Sequence, residues 1–283
     1  MMNPLLLKKQ LQDFFIEDIG SGDLSASLFE ENGEVTATVI AKDKGVFAGG
    51  QILTAGYELI DSMVQTNVYV KDGEKVEAGT ILAEITGKRQ SVLSGERVLL
   101  NLLQRLSGIA TVTAQAVANT NGITRICDTR KTTPGLRMLE KYAVRCGGGF
   151  NHRFGLYDTV MLKENHLAGF PSIKEAVKTA RQKFGHTVKI EVETETEQQV
   201  IEAVSAGADI IMFDNCTPEE IKQRLIQVPP GIITEASGGI TIEMINAYSE
   251  TGVHYISLGY LTHSYKSLDI SMNVKGVVKH DYS

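Results

Sequence analysis

The sequence of 283 residues has few cysteines and no long apolar segment. Its three cysteines are odd in number and form no CxxC motif and no paired Cys/His spacing. This pattern predicts a reduced, cytoplasmic protein and speaks against a structural zinc site. Because no run of about 18 apolar residues occurs, we expect no membrane-spanning helix. The leucines at 5–7 are followed by two lysines, an apolar run too short for a signal peptide.

Extended tracts of lysine and arginine are also absent, and the net charge of the chain is −6. Nucleic acid is therefore not an expected partner, since neutralising phosphates needs an extended basic surface. The exception to the acidic balance is the segment 125–166, which holds eight basic and four acidic side chains. Its charges are interleaved with TTPG, GGG and NH, which break helices. A basic segment inside an acidic protein attracts anions, so we expect a site for a multiply charged anion here.

The length of the chain predicts two domains, or one barrel with an extension. The first hundred residues indicate a small α+β layer. Helical periodicity covers residues 4–17, alternating strand patterns begin at Glu34, and a short helix spans about 51–62. The Lys-Asp-Gly segment at 71–73 predicts a hairpin bend. A long helical run, 91–120, is expected to start near Ser94 and to contain the domain boundary.

From residue 122 onward, apolar strands and amphipathic helices alternate regularly. The predicted strands are 123–127, 159–163, 188–193, 209–213, 232–236 and 255–258. The predicted helices are 134–147, 172–184, 196–206, 217–226 and 241–251, with start signals at Pro134, Ser172, Thr217 and Pro218. Six such repeats imply a parallel sheet, either doubly wound or closed into a barrel.

Side-chain parity favours the barrel. In 188–193 the apolar residues share one face of the strand while Glu191 and Glu193 share the other, and Lys163 and Asp214 lie on comparable faces of their strands. A doubly wound sheet is covered by helices on both faces and should be apolar on both. Charged residues on one face instead fit a barrel lumen that opens on a ligand site.

Polar residues end the predicted strands, and glycine-rich turns follow the last two. The carboxyl ends of barrel strands form the active-site rim, so we expect these polar residues to converge there. Ser237-Gly238-Gly239 and Gly259 follow late strands, where bare backbone N–H groups at a helix N-terminus would bind a phosphate. The expected rim residues are Asp128, Lys163, Glu193, Asp214 and Ser237.

Several motifs together resemble the quinolinate phosphoribosyltransferase family, over essentially the whole chain. The resemblance implies an open α+β sandwich over 1–108, joined by the tail 265–283, and an incomplete α/β barrel of about six strands over 109–264. It also implies homodimers, with the assembly of dimers into hexamers left open. The motifs are DTRKTTPGLR (128–137), GGGFNHRFGLYDTVMLKENH (147–166), EVET (191–194), DN (214–215), SGGI (237–240) and GYLTHS (259–264).

The reaction implied by the resemblance joins quinolinate to phosphoribosyl pyrophosphate and releases pyrophosphate and CO2, giving nicotinate mononucleotide for NAD synthesis. Mg2+ is the implied cofactor, with Glu193 and Asp214 as its ligands and as acids that hold the ribose. The implied catalytic residues are Lys163, Glu193 and Asp214. The positions that match the family's substrate-binding residues are Arg97 (donated by the other subunit), Arg130, Lys131, His152, Arg153, Lys163, Glu193, Asp214, Ser237, Gly238 and Gly259.

Several alternatives stay open at this point, among them whether Lys163 acts by its charge or by proton transfer. The chain could be a relative with another acceptor, such as nicotinate, or the molybdenum-transport-associated paralogue. Nicotinate has one carboxylate and would need fewer cations, so the set Arg97, Arg130 and Arg153 favours a dicarboxylate.

The chain could also be a barrel that binds a metabolite without catalysis. Loss of the rim acids would favour that hypothesis, but Glu193 and Asp214 are both present. Parity alone leaves undecided whether Glu191 or Glu193 faces the ligand.

Overall fold

A computed structural model describes residues 2–29 and 33–275, and the chain divides into two compact units. Of the described residues, the first unit contains those up to Val112, the segment Arg145–Gly147 and residues 265–275. The second contains Thr113–Val144 and Gly148–Ser264. Residues 276–283 of the tail expected to join the first domain lie outside the described residues.

The helices and strands of the described residues include most of those that the sequence patterns indicate. From the N-terminus they are α1 (Pro4–Ile19), a 3-10 helix (Ala26–Leu28), β1 (Glu34–Ala41), β2 (Gly45–Val46), α2 (Gly50–Ile60), β3 (Gln65–Val68), β4 (Lys75–Val76), β5 (Ile81–Lys88) and α3 (Arg89–Ala118). There follow β6 (Arg125–Cys127), α4 (Arg137–Cys146), β7 (Val160–Leu162), α5 (Glu164–Leu167), α6 (Ile173–Phe184), β8 (Ile190–Thr194), α7 (Glu197–Ser205), β9 (Ile210–Asp214), α8 (Pro218–Leu225), β10 (Ile233–Ser237), a 3-10 helix (Ile242–Met244), α9 (Ile245–Ser249), β11 (Tyr255–Ser257), α10 (Tyr260–His263) and β12 (Ile270–Val274). Within the described part of the chain, none of the helices combines the length and the apolarity that spanning a membrane requires.

The first unit is built on an antiparallel sheet with the strand order β12-β1-β5-β3. The hairpin-like pairing expected across residues 71–73 is confirmed, because β3 and β5 pair antiparallel, but the connection is longer than a tight turn and includes β4, which pairs with β2. The turn at 71–73 also has a second role. Asp72 Oδ1 accepts hydrogen bonds of 2.9 Å from the backbone N–H groups of Gly49 and Gly50, and so satisfies donors at the start of α2.

Helix α3 begins earlier than expected. It starts at Arg89, directly after β5, so the predicted start near Ser94 is wrong. Ser94 lies inside the helix, where its hydroxyl donates to Asp23 Oδ2 over 3.0 Å instead of capping backbone groups. The glycine that interrupts the apolar face, Gly108, permits a close approach of the chain. A Cβ at this position would lie 2.3 Å from the carbonyl oxygen of Lys266.

The second unit is an incomplete parallel α/β barrel, which confirms the predicted fold class. Its six strands have the order β6-β11-β10-β9-β8-β7, so β6 and β7 form the two ends of the curved sheet. Capping explains where its helices begin. The Thr217 hydroxyl accepts a hydrogen bond from the N–H of Glu220, with Pro218 at the first helical position, and Ser172 caps α6 in the same way.

In the barrel unit, the first and the last of the predicted helices are shorter than expected. A helix over 241–251 is replaced by the 3-10 helix Ile242–Met244 and the five-residue α9. Pro134 lies in a turn before α4, which begins only at Arg137, so Pro134 is not its first residue. The short helices α5 and α10, directly after β7 and β11, were not predicted, since four residues show no periodicity.

The predicted side-chain parity is confirmed. Ile190, Val192 and Ile211 are buried on the outer face of the sheet. Register places the inward residues side by side, with Met161 opposite Glu191, Glu235 opposite Met212 and Ser237 opposite Asp214. The lumen is therefore polar toward the carboxyl ends of the strands, where a site can form.

Candidate active site

A cavity of about 690 Å³ lies at the carboxyl ends of the barrel strands, within the second unit. The turns after β6, β7, β9, β10 and β11 all contribute to its lining. The structure thus brings together most residues predicted for the site. Those that line the cavity are Arg130, Lys131, His152, Arg153, Lys163, Asp214, Ser237, Gly238 and Gly259.

Basic side chains dominate the part of the cavity formed by the turns after β6 and before β7. Arg130 and Lys131 are exposed on the first of these turns. The guanidinium of Arg153 is held in place, because its Nη1 donates to the carbonyl oxygen of Thr159 over 2.9 Å. Burial lowers the pKa of Arg153, and the nearby charge of Arg130 lowers it further. Cations that repel one another in a partly buried site create a positive potential that favours an anion with more than one charge.

Lys163 and Glu193 form an ion pair at the rim. Lys163 Nζ donates to Glu193 Oε2 over 2.5 Å, and the Glu193 side chain is only 12 % exposed whereas that of Lys163 is 45 % exposed. Lys163 lines the cavity, but Glu193 is not among its lining residues. Glu193 therefore lies behind Lys163 in this arrangement, and its carboxylate fixes the ammonium group at the cavity wall.

The turns after β9 and β10 interlock beside Asp214. Asp214 Oδ2 accepts a hydrogen bond of 2.8 Å from the Asn215 side chain, and Asn215 N–H donates to the carbonyl oxygen of Ser237. Asn215 has a φ of 53°, a left-handed conformation that asparagine tolerates. Gly238 has a φ of 94°, and a Cβ there would lie 2.3 Å from Asn215 Oδ1. Glycine is required at this position by both backbone conformation and space.

The expectation that the Ser-Gly-Gly turn opens a regular helix is wrong. The turn leads into the 3-10 helix Ile242–Met244, because Gly238 and Gly239 both have positive φ and turn the chain away from helical geometry. Gly259 precedes α10, and a Cβ there would lie 2.9 Å from Lys131 Cδ. Both turns still line one side of the cavity, where the glycines leave the backbone accessible.

Asp128, predicted at the rim, lies away from the cavity and is fully buried. It pairs with the buried ammonium group of Lys141, and its Oδ2 accepts a hydrogen bond of 2.6 Å from the Asn151 side chain. Burial raises the pKa of Asp128, while Lys141, Asn151 and the backbone N–H of His152 act in the opposite direction. The rim assignment failed because the residue after β6 points into the protein, where Lys141 can neutralise it.

An acidic pair lies at the floor of the lumen. Glu191 is completely buried and its Oε1 is 3.3 Å from His152 Nε2, while Glu235 Oε1 is 3.6 Å from the same nitrogen. Burial, and then the charge of Glu191, raises the pKa of Glu235 to about 7. For His152 burial lowers the pKa, but the hydrogen bond to Glu191 and the charges of both acids outweigh it, so the pKa is raised.

These positions bear on two points that the sequence left open or missed. Glu191 lies at the floor and contacts His152, whereas Glu193 lies nearer the rim and contacts Lys163. Glu235 was not predicted as a site residue, although it lines the cavity. The signal was present in the strand that ends at Ser237, because the same parity argument places Glu235 on the inward face two residues earlier.

Arg97 is the remaining residue of the predicted set. It lies on α3 in the first unit and is exposed to solvent. The cavity of the second unit contains no contribution from it.

Two family models match adjacent parts of the chain. One is described as the N-terminal domain of quinolinate phosphoribosyl transferase and matches residues 23–107. The other is described as the C-terminal domain of the same family and matches residues 109–273. Together they cover most of the chain, and the second contains all the residues that line the cavity.

Named relatives agree with these models. The chain is 58% identical over 275 residues to a protein of Bacillus subtilis named probable nicotinate-nucleotide pyrophosphorylase (carboxylating), covering 96% of this chain and 95% of the relative. It is 35% identical over 288 residues to a quinolinate phosphoribosyltransferase (decarboxylating) of Nicotiana glauca, covering 95% and 82%. Among solved structures, NadC from Streptococcus pyogenes is 40% identical with a TM-score of 0.93, covering 96% and 97% of the two chains.

Proposed function

This chain belongs to the quinolinate phosphoribosyltransferase family, and from that premise we propose that it transfers a phosphoribosyl group to quinolinate with loss of CO2. The products are nicotinate mononucleotide, pyrophosphate and CO2, which makes the enzyme a pentosyltransferase of de novo NAD synthesis. The observation that carries the proposal is the cluster of Arg130, Lys131, Arg153 and Lys163 around one cavity. Such a cluster suits a substrate with two carboxylates.

Quinolinate binds, in this proposal, between the turn after β6 and the start of β7. Arg130 and Arg153 supply guanidinium groups that can each grip a carboxylate through two hydrogen bonds. Lys131 and Lys163 add compact positive charges. The lowered pKa of Arg153 supports this placement, since a dianion relieves the repulsion between Arg153 and Arg130. His152 belongs to the same wall of the cavity.

Phosphoribosyl pyrophosphate occupies the opposite side. Backbone N–H groups of the turns at Ser237, Gly238 and Gly259 hold its 5′-phosphate, which can approach closely because no Cβ intervenes at the glycines. Asp214 lines this side of the cavity. We assign to Asp214 and Glu193 the ribose hydroxyls and Mg2+.

The donor set fits Mg2+, which takes oxygen ligands from one or two carboxylates together with substrate phosphates. Asp214 offers a carboxylate at the cavity wall, whereas the carboxylate of Glu193 is engaged by Lys163. When bound, the ion neutralises charge on the pyrophosphate. Asp214 is therefore the stronger candidate for a direct contact, and Glu193 acts with Lys163.

The chemistry then depends on positioning and on charge. The ring nitrogen of quinolinate forms a bond to ribose C1 while the bond from C1 to the pyrophosphate oxygen breaks, through an oxocarbenium-like state. The alkylated ring accepts the electron pair when the adjacent carboxylate leaves as CO2, and a proton from solvent replaces it. We assign to Lys163 the stabilisation of the departing groups, and its ion pair with Glu193 at the cavity wall supports this assignment.

We further propose that the enzyme is a cytoplasmic homodimer. Arg97 completes the quinolinate site of the partner subunit in this arrangement, which accounts for a solvent-exposed arginine on α3. Cys127 and Cys216 are free and buried, in keeping with a reducing compartment.

The test measures CO2 released from quinolinate that carries a label in its 2-carboxylate. Release that requires both phosphoribosyl pyrophosphate and Mg2+ is the expected result. Formation of pyrophosphate with nicotinate, without labelled CO2 from quinolinate, would move the activity to a different acceptor. Binding of either substrate without any turnover would instead identify a metabolite-binding barrel and contradict the proposal.

A further inference from the structure

His152 is held by the protein at both of its backbone polar groups. Its N–H donates to Asp128 Oδ1 over 2.8 Å, and its carbonyl oxygen accepts from Lys141 Nζ over 2.9 Å. Asp128 and Lys141 are both fully buried. The backbone at residue 152 is therefore anchored to an ion pair behind the cavity wall, and its position does not depend on a ligand.

Both ring nitrogens of His152 are engaged as well. Nδ1 accepts a hydrogen bond of 2.7 Å from the backbone N–H of Arg153. Nε2 lies 3.3 Å from Glu191 Oε1 and 3.6 Å from Glu235 Oε1. Because Nδ1 accepts, the proton of the neutral ring is on Nε2 and points at the two acids. The ring thus connects the acidic pair at the floor to the peptide from which Arg153 extends.

A metal ion is the other occupant that this cluster suggests. The ligand atoms of His152, Glu191 and Glu235 all lie within 4.8 Å of one another. Glu191 Oε2 and Glu235 Oε1 are buried and accept no hydrogen bond from the described residues. However, a histidine bound to a metal through Nε2 normally donates a hydrogen bond from Nδ1. Here Nδ1 faces the N–H of Arg153, so the geometry favours a proton on Nε2 over a metal ion.

We propose that Glu235, together with Glu191, is a positioning residue of the quinolinate site, holding the His152 ring so that the ring fixes the peptide and the side-chain direction of Arg153. This inference rests on the proposed function. His152 itself then acts through Arg153 rather than by donating a hydrogen bond to the substrate, since both of its nitrogens are engaged by the protein.

The direction of Arg153 matters because its guanidinium is planar. A bidentate grip on a carboxylate is lost when the plane rotates, even if the charge stays nearby. The outer anchors of the guanidinium are the carbonyl oxygen of Thr159 and Met161 Sδ. The peptide between His152 and Arg153 is its inner anchor, and only this one depends on the acidic pair.

The phosphate side of the site should be insensitive to the acidic pair. Glu235 precedes Ser237 on β10, but the backbone of β10 is fixed by parallel pairing with β9 on one side and β11 on the other. Removing the Glu235 carboxyl group leaves these backbone hydrogen bonds in place. If the acidic pair positions Arg153, substitution of Glu235 should change the KM for quinolinate and leave the KM for phosphoribosyl pyrophosphate nearly unchanged.

The experiment compares Glu235→Ala and Glu235→Gln with the wild-type chain, with Glu250→Ala as a control at an exposed glutamate. For Glu235→Ala we expect the KM for quinolinate to rise about tenfold while the KM for phosphoribosyl pyrophosphate stays within about twofold, the scale of the coupling between two residues in contact. Glu235→Gln keeps the shape and hydrogen-bonding capacity of the side chain and should recover most of the loss. The unchanged second KM also establishes that the variant is folded.

Equal increases in both KM values, or an unchanged KM for quinolinate in Glu235→Ala, would overturn the proposal. Stoichiometric zinc or another divalent metal in the purified chain, measured by mass spectrometry and lost in Glu235→Gln, would also overturn it and identify a metal site.

A second measurement is independent of activity. In protein labelled with 15N-histidine, the His152 signal is assigned by its absence in His152→Gln. At a pH above the pKa of the ring we expect the tautomer with the proton on Nε2, and a proton on Nδ1 would contradict the proposed geometry. An Nε2-protonated ring in a wild-type chain that releases no CO2 from quinolinate would instead count against the proposed function.

Discussion

Lys141 and Asp128 form an ion pair whose two side chains are completely buried in the barrel unit. The pair also binds the backbone of His152 on both sides, so it links the end of β6 to the wall of the cavity. Its position behind the site indicates a structural contribution that is separate from binding.

Replacing Lys141 with Met should destabilise the protein strongly, because the Asp128 carboxylate would be left buried without its cation. We expect the free energy of unfolding to fall by about 3–5 kcal/mol, measured by urea denaturation. The double variant Lys141→Met/Asp128→Asn should recover part of this loss. Lys189→Met removes a lysine that is 60 % exposed in its pair with Asp209 and should cost less than about 1 kcal/mol. Equal losses for the two single variants would refute the role of burial.

Replacing Arg130 with Ala should weaken the recognition of quinolinate. The loss of one guanidinium from a partly buried anion site should cost at least about 2 kcal/mol in kcat/KM for quinolinate. Lys178→Ala removes a basic residue from an exposed helical pair with Glu175 and serves as the control. An unchanged kcat/KM in Arg130→Ala would remove Arg130 from the substrate site.

Replacing Lys163 with Met should act on the chemical step. If the Lys163 charge stabilises the transition state, kcat should fall by about 100-fold or more, with a smaller change in the KM values. Glu193→Gln should lower kcat less, because it releases the ammonium group without removing it. Steady-state kinetics with both substrates separates the effects, and a fall confined to KM would show that Lys163 only binds.

Arg97 can be tested by mixing two inactive variants. In a homodimer with shared sites, Arg97→Ala and Arg130→Ala should each be nearly inactive. After the subunits are mixed and exchanged, one of the two sites in each mixed dimer contains both arginines. About a quarter of all sites should then be active, given random pairing. If mixing restores nothing although mass spectrometry detects mixed dimers, Arg97 acts within its own chain or not at all.

Stability should depend on pH through Glu235. Its pKa is raised from 4.5 to about 7 in the folded protein, so the folded state holds this proton more tightly than the unfolded state does. The resulting stabilisation is complete below about pH 4.5 and is lost as the pH rises through about 7. The raised pKa of His152 acts in the same direction. In Glu235→Gln the free energy of unfolding should fall less steeply over this interval, and an identical slope in both proteins would contradict the assignment.

Much of the barrel and its cavity was predictable because both depend on local periodicity. Alternation with period two assigned Lys163 and Asp214 to the inward faces of their strands. Ser237 was expected beside them because the ends of parallel strands must meet at one edge. The capping residues Ser172 and Thr217 fixed where two outer helices begin, since a cap acts on backbone groups only a few residues away. The same alternation places Glu235 on the inward face of β10, although Glu235 was not predicted as a site residue.

Only the tertiary structure determined the features that depend on contacts between residues far apart in the sequence. Asp128 was assigned to the rim by its place after a strand, but Lys141 neutralises it inside the protein. The turn at 71–73 lies between two strands that pair as the sequence predicts, but only the folded chain brings Asp72 to the start of α2. The sequence by itself determined the alternation of the main strands and helices of the barrel, the polar face of three of its strands and the basic segment. Only the folded chain determined the depth of each charge and its partner, because burial and pairing energies depend on residues far apart in the sequence.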